Sequence, residues 1–233
     1  MVQLIDQPER EKMFHEEYPF FSSLSKHMQV HFKDFAESIL KDYLSETKDP
    51  FVVEIGSNDG IMIKNFKEKN IRHLGVEPSK NVAKVAQDQG INVTSEFFDL
   101  ELAKKTKEQY GSAQAILSAN VICHIPYIDS IFEGVAELLD EKGVFVYEDP
   151  YLGDIIEKTS YDQIYDEHVF FFSVLSVQFL ANNFGLEVID IKRQSTHGGS
   201  MRYYISKKGA YEVNDSVSKQ IKFEKEIGLD RSD

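Results

Sequence analysis

The spacing of hydrophobic residues along the chain changes near residue 50. Before that point, apolar side chains recur every three or four positions from Leu24 to Tyr43, after a serine-rich run at 22–25. This pattern predicts a long amphipathic helix with a serine N-cap. From Phe51 onward, short apolar runs alternate with segments of helical periodicity, which predicts an α/β fold with a parallel sheet. The predicted strands are 51–55, 73–76, 91–93, 113–118 and 143–148, and the predicted helices are 58–69, 79–89, 100–110 and 127–139.

The alternation stops at Pro150, where a stretch of roughly twenty residues without a clear period follows. A connection of this length in a compact domain is a candidate functional segment. Beyond it, residues 174–184 have a helical pattern, and the runs 186–191 and 201–206 predict an antiparallel hairpin that closes a mixed, seven-stranded sheet. We therefore expect an N-terminal helical segment (1–48), an α/β domain (49–208) with an insertion (150–173), and a helical tail (209–233).

Charge and cysteine content narrow the class of protein. The net charge of −13 argues against a surface that neutralises nucleic-acid phosphates or anionic lipids. The sequence shows neither an apolar stretch of membrane-spanning length nor an export signal, so we expect a cytoplasmic protein. The single Cys123 permits no internal disulfide and no thiolate zinc cage. We expect it to be a small buried side chain, and we expect no metal site.

The segment from Phe51 to Gly60 is typical of a nucleotide-binding strand, turn and helix. Its glycines are Gly56 and Gly60, whereas dinucleotide folds use three glycines to bring a pyrophosphate close to the backbone. Glu54 at the strand end and Asp59 in the turn place negative charge where the pyrophosphate would lie. The loop therefore disfavours NAD and favours a cationic ligand that carries adenosine without phosphate, a description that S-adenosylmethionine fits.

Other side chains near the strand ends are candidates for the same site. Glu77 ends the second strand, 23 positions after Glu54 (77 − 54), and its oxygens can accept both ribose hydroxyls. The alternative is a solvated strand-end carboxylate. Asn120, after the fourth strand, would lie beside the methionine moiety or the reacting centre. Phe97 and Phe98 either flank the adenine or belong to the core.

The insertion concentrates groups that exchange protons. Tyr165, Asp166, Glu167 and His168 are consecutive and precede an aromatic run. His168 is the first candidate for a general base, because an unperturbed histidine pKa of about 6.5 is close to working pH, and Glu167 or Asp166 would fix its tautomer. In a helix, Tyr165 and His168 would share a face, and Tyr165 could donate to an enolate oxygen. The cluster therefore indicates proton removal next to a carbonyl.

Three further polar residues each have two interpretations. His124 follows the fourth strand and either points into the same cleft or is a structural hydrogen-bonding group. His197, beside two glycines, either shapes a hairpin turn or contacts substrate. Arg202 either holds a phosphate or is a surface charge.

With these residues in place, the chain resembles the sugar C-methyltransferases of deoxysugar biosynthesis, which methylate C-3′ of a nucleotide-linked 4-keto-6-deoxyhexose. The resemblance extends from Tyr18 to Ile205. It rests on ordered segments that match the family's pattern, namely residues 18–23, 53–60, 75–79, 120–126, 148–152, 161–168 and 197–200.

The resemblance implies a Rossmann-like methyltransferase fold, S-adenosyl-L-methionine as cofactor and a dTDP-linked keto sugar as substrate. It implies that Tyr165, Glu167 and His168 carry the deprotonation, with His124 and Tyr18 near the substrate and cofactor. The ketone at C-4′ would acidify C-3′, and the enolate would attack the sulfonium methyl group. The candidate cofactor residues are Tyr18, Glu54, Gly56, Asn58, Asp59, Gly60, Glu77, Pro78, Phe97, Phe98 and Asn120, and the candidate substrate residues are Tyr151, His197 and Arg202.

Members of this family are typically longer, with a cysteine-rich zinc domain before this region and a Rossmann-like domain after it. We expect both to be missing here, since one cysteine cannot build the zinc site. The residues alone leave two other functions open: an O- or N-methyltransferase for a related sugar or small molecule, and a non-catalytic module that binds S-adenosylmethionine. A nicotinamide-dependent dehydrogenase is disfavoured by the carboxylates of the loop.

Overall fold

A seven-stranded sheet organises the part of the chain that the computed structural model describes, residues 1–7, 9–15 and 18–231. The strands are β1 (Val2–Gln3), β2 (Phe51–Ile55), β3 (Arg72–Val76), β4 (Val93–Thr94), β5 (Ala113–Ala119), β6 (Leu139–Pro150), β7 (Phe170–Phe171), β8 (Leu186–Gln194) and β9 (Ser200–Lys207). The α-helices are α1 (Arg10–Met13), α2 (Lys26–Asp42), α3 (Lys64–Lys67), α4 (Lys80–Asp88), α5 (Leu100–Tyr110), α6 (Ile128–Leu138), α7 (Leu152–Lys158), α8 (Val174–Asn183) and α9 (Asp215–Glu226).

The order of the large sheet is β4-β3-β2-β5-β6-β9-β8, and β1 and β7 form a separate pair. Strands β2 to β6 run parallel, whereas β9 is antiparallel to both β6 and β8. The chain builds one half of the sheet from β2 to β4 and then returns to the other side of β2 with β5. Open α/β sheets bind ligands outside the carboxyl ends of their strands at such a switch point. The predicted mixed seven-stranded fold, closed by an antiparallel hairpin, is confirmed.

Helices cover both faces of the sheet. In β2, Phe51, Val53 and Ile55 belong to a core that also contains side chains of α5, α6, α8 and α9. Val52 faces the opposite side, where the core contains side chains of α2, α3 and α4. All five residues of β2 are buried, as expected for a central parallel strand with helices on both faces.

Helix α2 bears out the predicted amphipathic pattern. The hydroxyl oxygen of Ser25 accepts a hydrogen bond from the Met28 amide at 3.3 Å and caps the helix. Phe32, Phe35 and Ile39 are buried, whereas Leu24 lies ahead of the helix and is 83% exposed. The apolar stripe therefore begins one turn later than the sequence suggests.

Two segments differ from the prediction. The helix expected at 58–69 is reduced to the four residues of α3, because Asn58 and Gly60 have φ values of +50° and +85°, where a right-handed helix cannot begin. The insertion, expected to be irregular, contains α7 and a short 3-10 helix, Tyr161–Gln163, before β7.

Elements distant in sequence fix the insertion in place. β1 pairs antiparallel with β7, and the Leu4 amide donates to the Val169 carbonyl at 2.9 Å. Glu224 of α9 is fully buried. Its carboxylate accepts the amides of Val174 and Leu175 and the hydroxyl of Tyr151, each at 2.8 Å. One side chain thus holds both the beginning and the end of the insertion.

The two edges of the large sheet have different irregularities. β4 contains two residues, and the pairing of β8 with β9 shifts register between Val188 and Asp190.

None of the described helices combines the length and the apolar character that a bilayer crossing requires.

Candidate active site

A cavity of about 730 Å³ lies at the switch point between β2 and β5. Ile55, Val76 and Ala119, at the carboxyl ends of β2, β3 and β5, form part of its wall. The N-terminal segment, with Phe14 and Tyr18, the insertion and the loops after the strands contribute further wall residues. Volumes in this range are typical of small-molecule sites.

The loop after β2 packs against Val121 on one side and the N-terminal segment on the other. Gly56 has a φ of +70°, and a Cβ atom at this position would lie 2.3 Å from Cγ2 of Val121. Only glycine fits so close an approach in the left-handed region. Asn58 accepts the Ser22 amide at 2.9 Å and donates to the Phe20 carbonyl at 3.1 Å. Gly56 and Asn58 both line the cavity, and Asn58 ties the N-terminal segment over it.

The predicted carboxylates of this region do not all face the cavity. Glu77 lines it, whereas Glu54 and Asp59 are buried outside the wall. Glu54 precedes the wall residue Ile55, so strand alternation turns its side chain to the opposite face. Burial raises the pKa of Glu54 well above its usual range. Glu54 and Asp59 thus lie outside the cavity wall, and their role toward the cofactor stays a prediction. Gly60 is also outside the wall and shapes the turn.

Among Glu54, Asp59 and Glu77, only Glu77 lines the cavity. Its Oε1 accepts the Ser79 amide at 2.8 Å, and its Oε2 accepts the Asn58 amide at 3.0 Å. Burial raises the pKa of Glu77, and these two amides oppose the shift. Each carboxylate oxygen can accept a second hydrogen bond. The side chain is thus oriented by the backbone and can still accept the hydroxyls of a ligand.

Four other predicted cofactor residues lie in the wall: Pro78, Phe97, Phe98 and Asn120. Phe98 is buried and belongs to the core as well as to the wall, and its contact with an adenine stays a prediction. Asn120 has a φ of +55°. Its side-chain Oδ1 is buried without a hydrogen-bond partner among the described residues. An unpaired acceptor in a cavity wall is a position for a donor group on a ligand.

Tyr18 connects the two halves of the cavity. Burial raises the pKa of Tyr18 to about 12, and the carboxylates of Glu167 and Glu77 add to the shift. Glu77 lies on the side of the strand ends and Glu167 on the side of the insertion. Tyr18 is therefore electrostatically coupled to both.

His168 and Tyr165 meet in a turn, and not on one face of a helix. The His168 amide donates to the Tyr165 carbonyl at 3.1 Å, and the Tyr165 hydroxyl lies 2.8 Å from Nε2 of His168. His168 Nδ1 lies 3.0 Å from the carbonyl oxygen of Gln163. This carbonyl, and not Glu167 or Asp166, fixes the tautomer with the proton on Nδ1. The imidazole is buried, which lowers the pKa of His168 and favours a neutral ring with its lone pair on Nε2.

His124 lies against His168, with 4.9 Å between ring centroids. Its Nδ1 is 2.7 Å from the carbonyl oxygen of Glu167. Burial and the neighbouring His168 lower the pKa of His124 to about 4. Both rings are therefore neutral near pH 7. Glu167 orients His124 through its backbone, while its exposed side chain stands at the cavity wall.

Asp149, at the end of β6, is a site residue that sequence reasoning missed. Its two oxygens accept the amides of Val121 and Cys123, at 3.1 and 3.0 Å. These bonds hold the 3-10 helix Ile122–His124 that carries His124. Burial raises the pKa of Asp149 to about 8. The only sequence signal was a carboxylate inside an apolar strand end.

The predicted substrate residues separate into two groups. His197 lines the cavity and has a φ of +49°, so it both shapes its turn and faces the site. Tyr151 is fully buried and directed at Glu224, outside the wall. Arg202 donates to buried Glu148 at 2.8 and 2.9 Å, also outside the wall. Because its charge is already paired and buried, Arg202 is neither a surface charge nor available to a phosphate. Neither Tyr151 nor Arg202 belongs to the cavity wall, and their substrate contact stays a prediction.

Comparison with known proteins places this geometry in a family. The profile of the methyltransferase domain family matches residues 26–191. C-methyltransferase NovU of Streptomyces niveus is 32% identical over 184 residues, which is 78% of this chain and 44% of that protein. The chain thus spans less than half of the length of this curated relative.

Solved structures show the same fold at low sequence identity. A S-adenosylmethionine-dependent methyltransferase from Clostridium acetobutylicum has a TM-score of 0.59 at 12% identity, covering 76% of this chain and 92% of the other. Magnesium protoporphyrin IX methyltransferase from Synechocystis PCC 6803, with bound SAH, has a TM-score of 0.58 at 13% identity, covering 79% and 88%. The chain therefore belongs to the methyltransferase domain family and has the fold of S-adenosylmethionine-dependent methyltransferases.

Proposed function

We propose that the chain transfers a methyl group to carbon, at C-3′ of a nucleotide-linked 4-keto-6-deoxy sugar, with dTDP as the nucleotide. One observation carries the proposal: a neutral, buried His168 whose tautomer leaves the lone pair on Nε2, hydrogen-bonded to Tyr165 at the wall of the cavity. Methylation of an oxygen or nitrogen lone pair needs less help from such a base. Methylation of carbon requires removal of a proton first.

The cavity wall fits S-adenosylmethionine, which supplies an electrophilic methyl group when bound. Glu77 has two pre-oriented oxygens for ribose hydroxyls. Gly56 lets the loop approach without a Cβ atom, and Asn120 has an unpaired buried oxygen for the donor end of the ligand. We assign the N-terminal segment, residues 1–48, as the cover of this side and the insertion, 150–173, as the catalytic side.

The insertion supplies the acid–base chemistry. His168 Nε2 takes the proton from the carbon beside the ketone, since its lone pair is held ready by the Gln163 carbonyl. Tyr165 is 42% exposed, so its hydroxyl can turn from His168 to donate to the enolate oxygen. His124 and the Glu167 carboxylate complete the wall around the substrate.

The similarity to a protein named as a C-methyltransferase supports carbon as the methyl acceptor. The segments that resemble sugar C-methyltransferases support the sugar and include the whole run from Tyr161 to His168. Of the three candidate substrate residues, His197 is the one that lies in the cavity wall.

The decisive experiment separates proton removal from methyl transfer. The chain is incubated in D₂O with the dTDP-linked 4-keto-6-deoxy sugar and S-adenosylhomocysteine, and deuterium at C-3′ is followed by NMR. With S-adenosylmethionine, mass spectrometry then measures a gain of one methylene group. We expect enzyme-dependent exchange, followed by methylation at the same carbon.

His168→Gln is expected to lose both exchange and methylation by at least about a hundredfold, while calorimetry shows unchanged binding of S-adenosylhomocysteine. His27→Gln, at an exposed position of α2, is the matched control and retains both reactions. Methylation of a reduced 4-hydroxy sugar without any exchange would contradict carbon as the acceptor. A fully active His168→Gln would remove the assigned base.

A further inference from the structure

Three side chains from two separate segments of the sequence converge beside the cavity. Cys123, His124 and His168 each place one ligand atom within 4.8 Å of the others, and all three residues are buried. Cys123 and His124 come from the 3-10 helix after β5, and His168 comes from the insertion. A single cysteine cannot form a thiolate cage, but one thiol with two imidazoles is also a metal-ligand set.

The two histidines have the environment that metal ligands need. His124 Nδ1 bonds to the Glu167 carbonyl at 2.7 Å, and His168 Nδ1 bonds to the Gln163 carbonyl at 3.0 Å. Metal-ligating histidines almost always donate their second ring N–H to such an acceptor, which fixes the tautomer and orients the ring. In His168, Nε2 is then the nitrogen with the lone pair, whereas His124 has the Asn120 backbone as a second hydrogen-bond partner that the ion would displace.

We propose that Cys123, His124 and His168 bind a divalent transition-metal ion of the zinc class, and that the bound ion inhibits the enzyme. Two imidazoles and one thiolate favour Zn²⁺ and its neighbours over Mg²⁺ and Ca²⁺, which prefer oxygen. In a tetrahedral site, bonds of about 2.0 to 2.3 Å separate the ligand atoms by roughly 3.5 Å. Side-chain rotations that move the three ligand atoms by about 1 Å would bring them to these distances. Tyr165, whose hydroxyl bonds to His168, is half exposed and can move aside.

Inhibition follows from the ligand set. The ion takes the Nε2 lone pair of His168 that would accept the substrate proton, and two of its three ligands, His124 and His168, line the cavity. The inhibitory effect rests on the proposed role of His168 as the base. Binding of the ion does not depend on that role, so the metal site and the proposed function can fail separately.

Cobalt absorption tests the binding directly. Co²⁺ is titrated into the pure chain in a phosphine reductant that does not compete for metal. We expect saturation at one ion per chain, with visible bands of four-coordinate cobalt and a near-ultraviolet band from thiolate to cobalt charge transfer. Because the chain has one cysteine, the charge-transfer band reports Cys123 alone. Zn²⁺ should displace the cobalt and erase both features.

Variants assign the ligands. Cys123→Ser and Cys123→Ala should lose the charge-transfer band and weaken Zn²⁺ binding by about tenfold or more, while methyl transfer without metal continues. His168→Gln should abolish the site, and His27→Gln should leave it intact. In the wild type, Zn²⁺ should stop methyl transfer and a chelator should restore it. Absence of the charge-transfer band, or equal Zn²⁺ inhibition of wild type and Cys123→Ser, would overturn the proposal.

Discussion

Glu224 offers the sharpest test of how the catalytic insertion is held. The change Glu224→Ala removes the acceptor of three donors: the amides of Val174 and Leu175 and the hydroxyl of Tyr151, each at 2.8 Å. The two amides belong to the first turn of α8, where a helix has no internal acceptors and favours a negative charge. The variant therefore leaves two backbone N–H groups buried without partners.

The expected loss can be estimated from these groups. An orphaned buried donor destabilises by about 1 to 3 kcal/mol. The three donors share one carboxylate, so their effects are coupled. The Tyr151 hydroxyl also keeps a bond from Gln220 at 2.7 Å. We therefore expect Glu224→Ala to lower the free energy of unfolding by about 3 to 5 kcal/mol. Glu224→Gln retains one acceptor oxygen and should lose about 1 to 3 kcal/mol.

Urea unfolding followed by circular dichroism measures these differences. Glu226→Ala, on the same helix with a 62% exposed side chain, is the matched control and should stay within about 0.5 kcal/mol of wild type. Limited proteolysis should show faster cleavage between Tyr151 and Val174 in Glu224→Ala than in the control. An alanine variant as stable as the control would refute the reasoning.

Three further outcomes follow from the site. The pKa of His124 is about 4 in the folded chain and about 6.5 when unfolded, so the unfolded state binds more protons between these pH values. The free energy of unfolding should therefore fall by about 2 kcal/mol from pH 6.5 to 5. Urea titrations of His124→Gln should lack this loss. Because burial lowers the pKa of His168, the acid limb of the pH–rate profile for methyl transfer should lie below pH 6.5; a limb above that value would contradict the neutral base. In Gly56→Ala, the added Cβ meets Val121 at 2.3 Å, so calorimetry should show weakened S-adenosylhomocysteine binding, partly restored by adding Val121→Ala.

The sequence predicts the sheet well because its central strands are mainly apolar and its helices are periodic. The short apolar run of β2 predicts a central strand, and all five of its residues are buried in the structure. The hairpin of β8 and β9 was also predictable from its flanking glycines and apolar runs. The position of the cavity follows from this order of strands.

The site was less predictable where backbone atoms make the contacts. The proximity of Tyr165, His168 and His124 was expected, but the carbonyls of Gln163 and Glu167 that orient the rings have no sequence signature. Glu54 lies outside the cavity wall, a placement that depends on the alternation of side chains along the strand and not on its closeness to the strand end. Long-range pairs such as β1 with β7 depend on the assembled fold and not on local pattern.

The irregular borders of the central sheet bear on self-association. One border, β4, offers only two residues to an incoming strand. At the other, β8 has the register shift near Asp190 and charged side chains at Lys192 and Arg193. Kinks and charges on a border strand oppose the flat pairing that seeds aggregates. Both borders are therefore poor templates for strand addition, which favours discrete particles over sheet-mediated polymerisation at high protein concentration.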